Sequence, residues 1–421
     1  MRSRRARHAA AMISLAAVIT LASSGCAARA AGEQQRAGPA RADSLTARAT
    51  SATKPMPLWL QTLQMVSART GWALAWSGNP NERSPVTMTL VRTRDGGRTW
   101  TDVTPVAARP LITSLDTYFL LFPGPGERAW LAVTRQRSNA ESGTTRNRIE
   151  VFGTSDGGRT WTTSSLIHAP GVPGSLDFVN SRDGWLLENL GEAMNLNPVQ
   201  VYMTTDGGRR WSLIAKSPPG PQGGTSRSGL PVSCIKAGIG FATQWAGWIS
   251  GACFTLSDAL LATTDGGLRW AAQPVPVAAS TCQSGGCEVT SPQFFGRTGF
   301  VSVGTYPGPG YLLTSRNLGA TWSAVRLPPG NDPYPTATFF SARDGVLIPT
   351  GPQESHPRVF YDTANGGRTW RPVPQGHLGT VTTIEFTSPS SGFAWNLNQA
   401  SPLIYATANG GRSWSSFVPL S

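Results

Sequence analysis

Residues 93–100 have the sequence Thr-Arg-Asp-Gly-Gly-Arg-Thr-Trp, and variants of this octapeptide begin again at residues 154, 204, 263, 315, 363 and 407. An aspartate or asparagine before Gly-Gly favours a tight turn, because its side chain bonds backbone N–H groups ahead of it and glycine accepts positive φ. A β-rich run precedes the turn and a tryptophan follows it, so each copy predicts a β-hairpin. We expect a structural role for the Asx and Trp positions of the copies, which are Asp95, Trp100, Asp156, Trp161, Asp206, Trp211, Asp265, Trp270, Asn317, Trp322, Asn365, Trp370, Asn409 and Trp414.

A second predicted hairpin precedes each copy. In it an apolar strand and a short turn lead to Gly-Trp or an equivalent pair, as at Gly71-Trp72, Gly184-Trp185 and Gly392-Phe393. Each repeat therefore contains four antiparallel strands with a period of roughly 50 residues, which is typical of a propeller blade. The sequence predicts an all-β fold, a seven-bladed β-propeller of four-stranded blades over residues 57–421.

Composition excludes several other classes of protein. The 421 residues include 47 Gly and 33 Pro, and only 14% are charged, which argues against a helical protein. A hydrophobic content of 39% argues against disorder. The net charge of +13 does not indicate nucleic-acid binding, because eight arginines lie in residues 1–50 and no Lys/Arg run of five or more follows.

The N-terminus has the features of an export signal. Residues 1–8 are basic, residues 9–22 are mostly apolar, and Gly25-Cys26 resembles a relaxed bacterial lipobox. We expect a signal peptide over 1–26 with lipidation at Cys26, and a flexible tether over 27–56. The predicted location is extracytoplasmic, anchored to the cell membrane by lipid. Cleavage near Ala30 would instead give a secreted protein, and a retained membrane helix is disfavoured by the short apolar stretch.

The remaining cysteines are even in number, which in an exported chain favours disulfides. Three pairings of Cys234, Cys253, Cys282 and Cys287 are possible, and the short Cys282–Cys287 loop favours that bond together with Cys234–Cys253. A zinc site would need a second closely spaced pair, which the sequence lacks. We therefore expect neither a metal nor a cofactor.

The Ser/Thr-x-Asp-x-Gly-x-Thr-Trp element resembles the Asp-box, or BNR repeat, of sialidase-like propellers. Its combination with the preceding hairpin also resembles the photosystem II assembly/stability factor-like group. The second resemblance implies an exported, non-catalytic, seven-bladed propeller. We expect it to be a monomer that binds an envelope protein or glycan, and the charge distribution predicts no nucleic-acid partner.

The predicted strand order places all the Asp-boxes on one face of the propeller. The long connections lie on the opposite face, where functional residues concentrate in many folds. They are Arg135–Arg148, Glu188–Val199, Ser212–Val232, Gln273–Val289 and Gly304–Gly310. We expect partners to bind on this loop face.

Catalysis is the alternative, as a glycan-active hydrolase of sialidase-like type. The Arg-Ile-Pro element that this resemblance implies is absent from residues 57–90. The best carboxylate pair is Asp177 and Glu385, each seven residues before the glycine of its turn, with Asp116 as a weaker candidate. Glycosidases hold two carboxyls roughly 5–10 Å apart. Blades three and seven are expected to be too distant for this, so the sequence favours two polar residues facing the central channel.

Tryptophans outside the octapeptides permit two interpretations. They could stack on sugars or pack in the core, and the Gly-Trp positions favour the core. These residues are Trp130, Trp185, Trp245, Trp248 and Trp395.

Overall fold

The computed structural model describes residues 56–77, 87–112, 118–124, 126–138, 145–165, 167–192, 196–218, 226–253, 259–278, 282, 286–305, 308–328, 336–348, 359–374, 378, 381–396 and 402–421. The named elements in these ranges are all β-strands, paired antiparallel. Four strands accompany most copies of the octapeptide, and we call each such set a unit. Cys26 and Asp116 lie outside the described residues.

Units 1 to 3 are separate four-stranded sheets in chain order. Unit 1 contains β1 (Leu58–Met65), β2 (Gly71–Ser77), β3 (Met88–Thr93) and β4 (Thr101–Asp102). Unit 2 contains β5 (Phe119–Pro123), β6 (Ala129–Ser138), β7 (Thr145–Thr154) and β8 (Thr162–Thr163). Unit 3 contains β9 (Val172–Phe178), β10 (Gly184–Asn189), β11 (Val199–Thr204) and β12 (Ser212–Lys216).

Units 4 and 5 form one nine-stranded sheet, because β14 of unit 4 pairs with β17 of unit 5. Unit 4 contains β13 (Ile235–Phe241), β14 (Gly247–Cys253), β15 (Leu260–Thr263) and β16 (Ala271–Ala272). Unit 5 contains β17 (Cys287–Val289), β18 (Gln293–Phe295), β19 (Thr298–Thr305), β20 (Tyr311–Ser315) and β21 (Ser323–Arg326). Its first strand is split, so this unit differs from the four-strand prediction. Pro292 lies in the break and has no N–H for a continuous ladder.

Units 6 and 7 are again four-stranded sheets. Unit 6 contains β22 (Thr336–Phe339), β23 (Gly345–Ile348), β24 (Phe360–Thr363) and β25 (Arg371–Val373). Unit 7 contains β26 (Thr383–Phe386), β27 (Gly392–Trp395), β28 (Ile404–Thr407) and β29 (Ser415–Phe417).

The core lies between consecutive units. Separate clusters of buried apolar side chains join each unit to the next. A further cluster joins the last unit to the first, where Leu63 and Trp100 pack with Phe393 and Trp395. The C-terminus reinforces this contact, since Leu58 N donates to Pro419 O at 3.0 Å. The all-β sheets and this sequential packing fit a β-propeller.

Aromatic stacking recurs at these contacts between units. Trp185 of unit 3 stacks on Phe241 of unit 4 with ring centroids 3.6 Å apart, and its Nε1 donates to Gly266 O at 2.9 Å. Trp130 stacks on Phe178 at 3.8 Å in the same way. The Gly-Trp residues Trp185 and Trp248, and Trp130 at the equivalent position after Ala129, are thus core residues, with exposed fractions of 3% or less.

Each octapeptide forms a turn held by its own side chains, and we call it a box turn. In unit 2, Thr154 Oγ1 donates to Asp156 Oδ1 at 2.9 Å, and the carboxylate accepts from Thr160 N at 2.9 Å and from Thr160 Oγ1 at 2.6 Å. The bonds from Thr160 are the main reason that the pKa of Asp156 falls to about 2. Gly157 and Gly158 adopt φ of 76° and 85°, which glycine accepts without strain.

One hydrogen bond joins the box turn of every unit to the turn between its first and second strands. The N–H at the first glycine position (Leu318 in unit 5) donates to a carbonyl in the first turn, at 2.8–3.0 Å. The seven acceptors are the carbonyls of Arg69, Glu127, Arg182, Trp245, Arg297, Arg343 and Ser390. Both turns therefore lie at the same end of each unit, and we call the surface made by these fourteen turns the turn face.

Candidate functional site

Asp177 lies near the end of β9, opposite Trp185 of β10. Its side chain is directed at unit 4, where Oδ2 accepts from Phe241 N at 2.6 Å. Burial raises the pKa of Asp177 to about 7, and the backbone donors Phe241 and Phe178 offset part of that rise. Ser175 repeats the contact, because its Oγ accepts from Ile239 N at 3.1 Å. Asp177 thus joins two neighbouring first strands.

Gln293 occupies the equivalent position in unit 5, opposite Phe300. Its Oε1 accepts from Phe339 N at 2.8 Å and its Nε2 donates to Ala337 O at 3.1 Å. Sequence reasoning missed this residue because the split first strand obscures the register. The signal was present, since Gln293 lies six residues before Gly299, close to the spacing of Asp177 from Gly184.

Gln64 of unit 1 shows that this contact between first strands requires a backbone N–H on the neighbouring unit. Its register partner is Trp72, as Trp185 is the partner of Asp177, but its buried Oε1 has no hydrogen-bond partner in the described part of the chain. The donor position in unit 2 is Pro123, which pairs with Ala129 as Phe241 pairs with Gly247. Proline has no N–H, so this amide oxygen lacks the donor that Asp177 finds.

Glu385 lies at the same register position in β26, opposite Phe393. Burial raises the pKa of its carboxyl to about 8, with no hydrogen bond to offset the rise. No hydrogen bond or ion pair joins Glu385 to Asp177, although both are described residues. The two sequence-predicted carboxylates lie in different units, and the carboxylate of Asp177 binds the backbone of β13.

Glu188 is a third carboxyl with a raised pKa, and sequence reasoning missed it. It is fully buried at the far end of β10, where Oε1 accepts from Gly171 N at 2.6 Å. Burial raises its pKa to about 7 against the effect of this bond. Only the connection that begins at Glu188 was singled out from the sequence, because a single glutamate at a strand end carries no pattern.

Two disulfides lie at the end of the units opposite the turn face. Cys234 bonds to Cys253, and Cys282 bonds to Cys287, which are the favoured pairs. Cys253 and Cys287 are also register partners between β14 and β17, so the two disulfides adjoin. They suggest an oxidising, extracytoplasmic compartment. A membrane-spanning helix is not found among the described residues.

Asn197 holds the neighbouring connection of unit 3 against this disulfide region. It is fully buried, and its Nδ2 donates to Asn189 Oδ1 at 2.8 Å while its Oδ1 accepts from Lys236 N at 3.0 Å. The buried Lys236 Nζ donates to the carbonyls of Asn197, Ser233 and Cys234 at 3.0, 2.6 and 3.1 Å. These bonds join the described end of unit 3 to the start of unit 4, beside the Cys234–Cys253 disulfide.

Metal binding finds no support in the described ranges, where no group of three or more His, Cys, Asp or Glu side chains could hold an ion. The box-turn carboxylates illustrate why. They accept hydrogen bonds from their own turns, as Asp95 does from Thr99 Oγ1 at 2.6 Å.

Comparison with known proteins gives a likeness of fold. No protein-family profile matches the sequence, and no curated protein matches it. Among solved structures, a prolyl endopeptidase is 8% identical with a TM-score of 0.52, over 87% of this chain and 50% of that chain. YCF48 bound to a D1 peptide is 17% identical with a TM-score of 0.48, over 87% and 94%. A GH74 xyloglucanase from Xanthomonas campestris is 14% identical with a TM-score of 0.49, over 88% and 55%. Identities this low show the fold alone.

Proposed function

We propose that the chain is an exported, lipid-anchored, seven-bladed Asp-box propeller that binds a protein or glycan through its loop face and catalyses no reaction. The observation that carries the proposal is the cross-linked region of the loop face. Two disulfides that adjoin through the Cys253–Cys287 register pair, together with the Asn197–Lys236 contacts, hold the described residues at this end of units 3, 4 and 5 together. A surface held in one conformation before binding loses less entropy when a partner docks.

The seven copies of the octapeptide support the propeller, and so do the seven core clusters between units, the last of which joins unit 7 to unit 1. The disulfides support export, and the sequence at Cys26 supports the lipid anchor. The carboxylates argue against catalysis, because Asp177 is bonded to a neighbouring strand and not directed at a second acid.

Site-specific photo-crosslinking in the native host tests the binding face. A photoreactive amino acid replaces Glu192, which is exposed in the connection of unit 3, or Val359, which is 41% exposed in the connection of unit 6. The matched control replaces Ala342, exposed in the first turn of unit 6. We expect one discrete protein or glycan adduct from the loop-face positions and no such adduct from Ala342. Adducts from Ala342 alone would contradict the proposal.

A glycan-active hydrolase is the second candidate, and the carboxyl of Glu385 favours it. A pKa of about 8 keeps this acid protonated at neutral pH, as a general acid must be. Purified protein is incubated with sialosides and with plant and bacterial glycans. We expect no turnover. Turnover lost in Glu385→Gln or Asp177→Asn would establish the hydrolase instead.

A further inference from the structure

Positive charge is concentrated on the turn face. Its fourteen turns contain 14 arginines and 7 acidic residues, a net charge of +7, whereas residues 56–421 as a whole carry +6. The rest of this part of the chain is therefore close to neutral. Thirteen of the fourteen arginines are exposed, and Arg128 is half-buried.

Six of the seven acidic residues of this face are bonded inside their own turns, whereas Glu127 forms ion pairs with Arg94 at 3.0 Å and with the buried Arg92. Asp206 accepts from Arg209 N and Arg210 N at 3.0 Å, and Asp183 accepts from Asn180 Nδ2 at 2.8 Å. Some arginines also support the turns, as Arg182 does through its Nε bond to Thr205 O at 3.2 Å. That bond leaves the guanidinium at the surface, since Arg182 is exposed.

In unit 4, two apolar residues stand at turn positions that are arginine in most other units. Trp245 takes the first-turn position that is arginine in four other units, and Leu268 takes the box-turn position that is arginine in five. Trp245 is 58% exposed and Leu268 is 53% exposed. The two turns that carry them are joined by the bond from Gly266 N to Trp245 O at 3.0 Å. The other four tryptophans considered from the sequence are at most 3% exposed.

A membrane surface matches this arrangement better than a folded partner does. The arginines come from turns of all seven units, so only an extended array of negative charge can meet many of them at once. Each basic residue near an anionic bilayer contributes about 1 kcal/mol. An indole ring prefers the headgroup level, because it has an apolar body and a polar N–H. Trp245 and Leu268 lie at the tips of turns, where they can enter a lipid interface without a change in the fold.

We propose that the turn face docks on an anionic phospholipid bilayer, with Trp245 and Leu268 inserted at the headgroup level and the surrounding arginines on lipid phosphates. This inference does not depend on partner binding at the loop face. It orients the propeller with its loop face directed away from the membrane.

Tryptophan quenching by brominated phospholipid tests the orientation with the full chain. Residues 1–55 contain no tryptophan, so an N-terminal segment held in the bilayer adds no signal of its own. The probe is a vesicle with 30% brominated phosphatidylglycerol in phosphatidylcholine, against a vesicle of brominated phosphatidylcholine alone. We expect quenching on the anionic vesicle that weakens as salt is added, because salt screens the charges.

Three variants locate the contact. Trp245→Phe should remove most of the anion-dependent quenching, because it replaces the most exposed of the described tryptophans. Arg297→Glu should weaken docking by at least about fivefold, the equivalent of one arginine near the surface. Arg326→Glu is the matched control, with the same charge change at the opposite end of unit 5.

Three results would overturn the proposal. Trp245→Phe could be quenched as strongly as the unchanged protein. Arg326→Glu could weaken docking as much as Arg297→Glu does. Neutral vesicles could quench as well as anionic ones. If an acidic protein is the real occupant, neither vesicle quenches the fluorescence, which counts as the third result because the two vesicles then do not differ.

Discussion

Three tryptophans in different environments test how the units are held together. Trp185 is fully buried, stacks on Phe241 at 3.6 Å and donates to Gly266 O at 2.9 Å. Removal of a buried large aromatic costs about 3–5 kcal/mol, and a buried carbonyl left without its donor adds about 1 kcal/mol. We therefore expect Trp185→Ala to lower the free energy of unfolding by about 4–6 kcal/mol.

Trp211 should be less costly to remove, because it is only half-buried and meets Phe178 edge-on at 6.0 Å. We expect about 2–3 kcal/mol for Trp211→Ala, below the value for a fully buried ring. Trp245→Ala is the matched control, with an expected change within about 0.5 kcal/mol, since the ring is 58% exposed.

Equilibrium urea unfolding, followed by far-UV circular dichroism, measures all three variants under one condition. The predicted order of the midpoints is Trp245→Ala, then Trp211→Ala, then Trp185→Ala, from highest to lowest. An unchanged midpoint for Trp185→Ala would refute the argument that stacking between units stabilises the fold. A urea midpoint for Trp245→Ala as low as that for Trp185→Ala would refute this argument as well.

Four further predictions concern other parts of the chain. Asp177 has a raised folded pKa of about 7, so its stabilising effect is complete below about pH 4 and is lost as the pH rises to 7. Asp177→Asn should therefore reduce the fall of the urea midpoint between about pH 4 and pH 7. An unaltered pH dependence of the midpoint would contradict the raised pKa of Asp177. Asp156→Ala should cost about 1–2 kcal/mol through lost turn bonds, whereas Asp156→Asn should cost less because Asn365 and Asn409 serve in other box turns. Replacement of Cys234 and Cys253 by Ser should cost about 3 kcal/mol in the same urea assay, given the 19-residue separation. Cys26→Ala should move the protein from the membrane fraction to the soluble fraction, and an unchanged distribution would exclude lipid anchoring at Cys26.

The sequence predicted the local elements well, because their determinants are local. Gly-Gly after Asp or Asn requires positive φ, and Gly157 and Gly158 adopt it. The favoured cysteine pairs follow from short spacing in the same way. The split first strand of unit 5 was not predicted. The octapeptide lies between the last two strands of a unit and says nothing about the first strand.

Contacts between units could not be predicted in this way. The partner of Asp177 is a backbone N–H of the next unit, 64 residues away in sequence. Whether such a residue is satisfied depends on a position that shares no motif with it, as Gln64 and Pro123 show. The exposure of Trp245, in contrast, can be predicted from the sequence. Trp245 lies two residues before the turn glycine, whereas the Gly-Trp residues directly follow it. Alignment of the seven units by that glycine identifies it from sequence alone.

The inner-strand position of Asp177 also bears on catalysis. In each unit one first-strand residue pairs in register with the residue after the turn glycine or its equivalent. In the other units these counterparts of Asp177 are Gln64, Phe122, Gly240, Gln293, Thr338 and Glu385. Only Asp177 and Glu385 are acids, and Asp177 already accepts a 2.6 Å bond from a neighbouring strand. Burial raises the pKa of Glu385 to about 8, without a hydrogen bond that would offset the rise. Glycoside hydrolysis needs two carboxyls that act together, and among the described residues no hydrogen bond or ion pair joins Glu385 to Asp177.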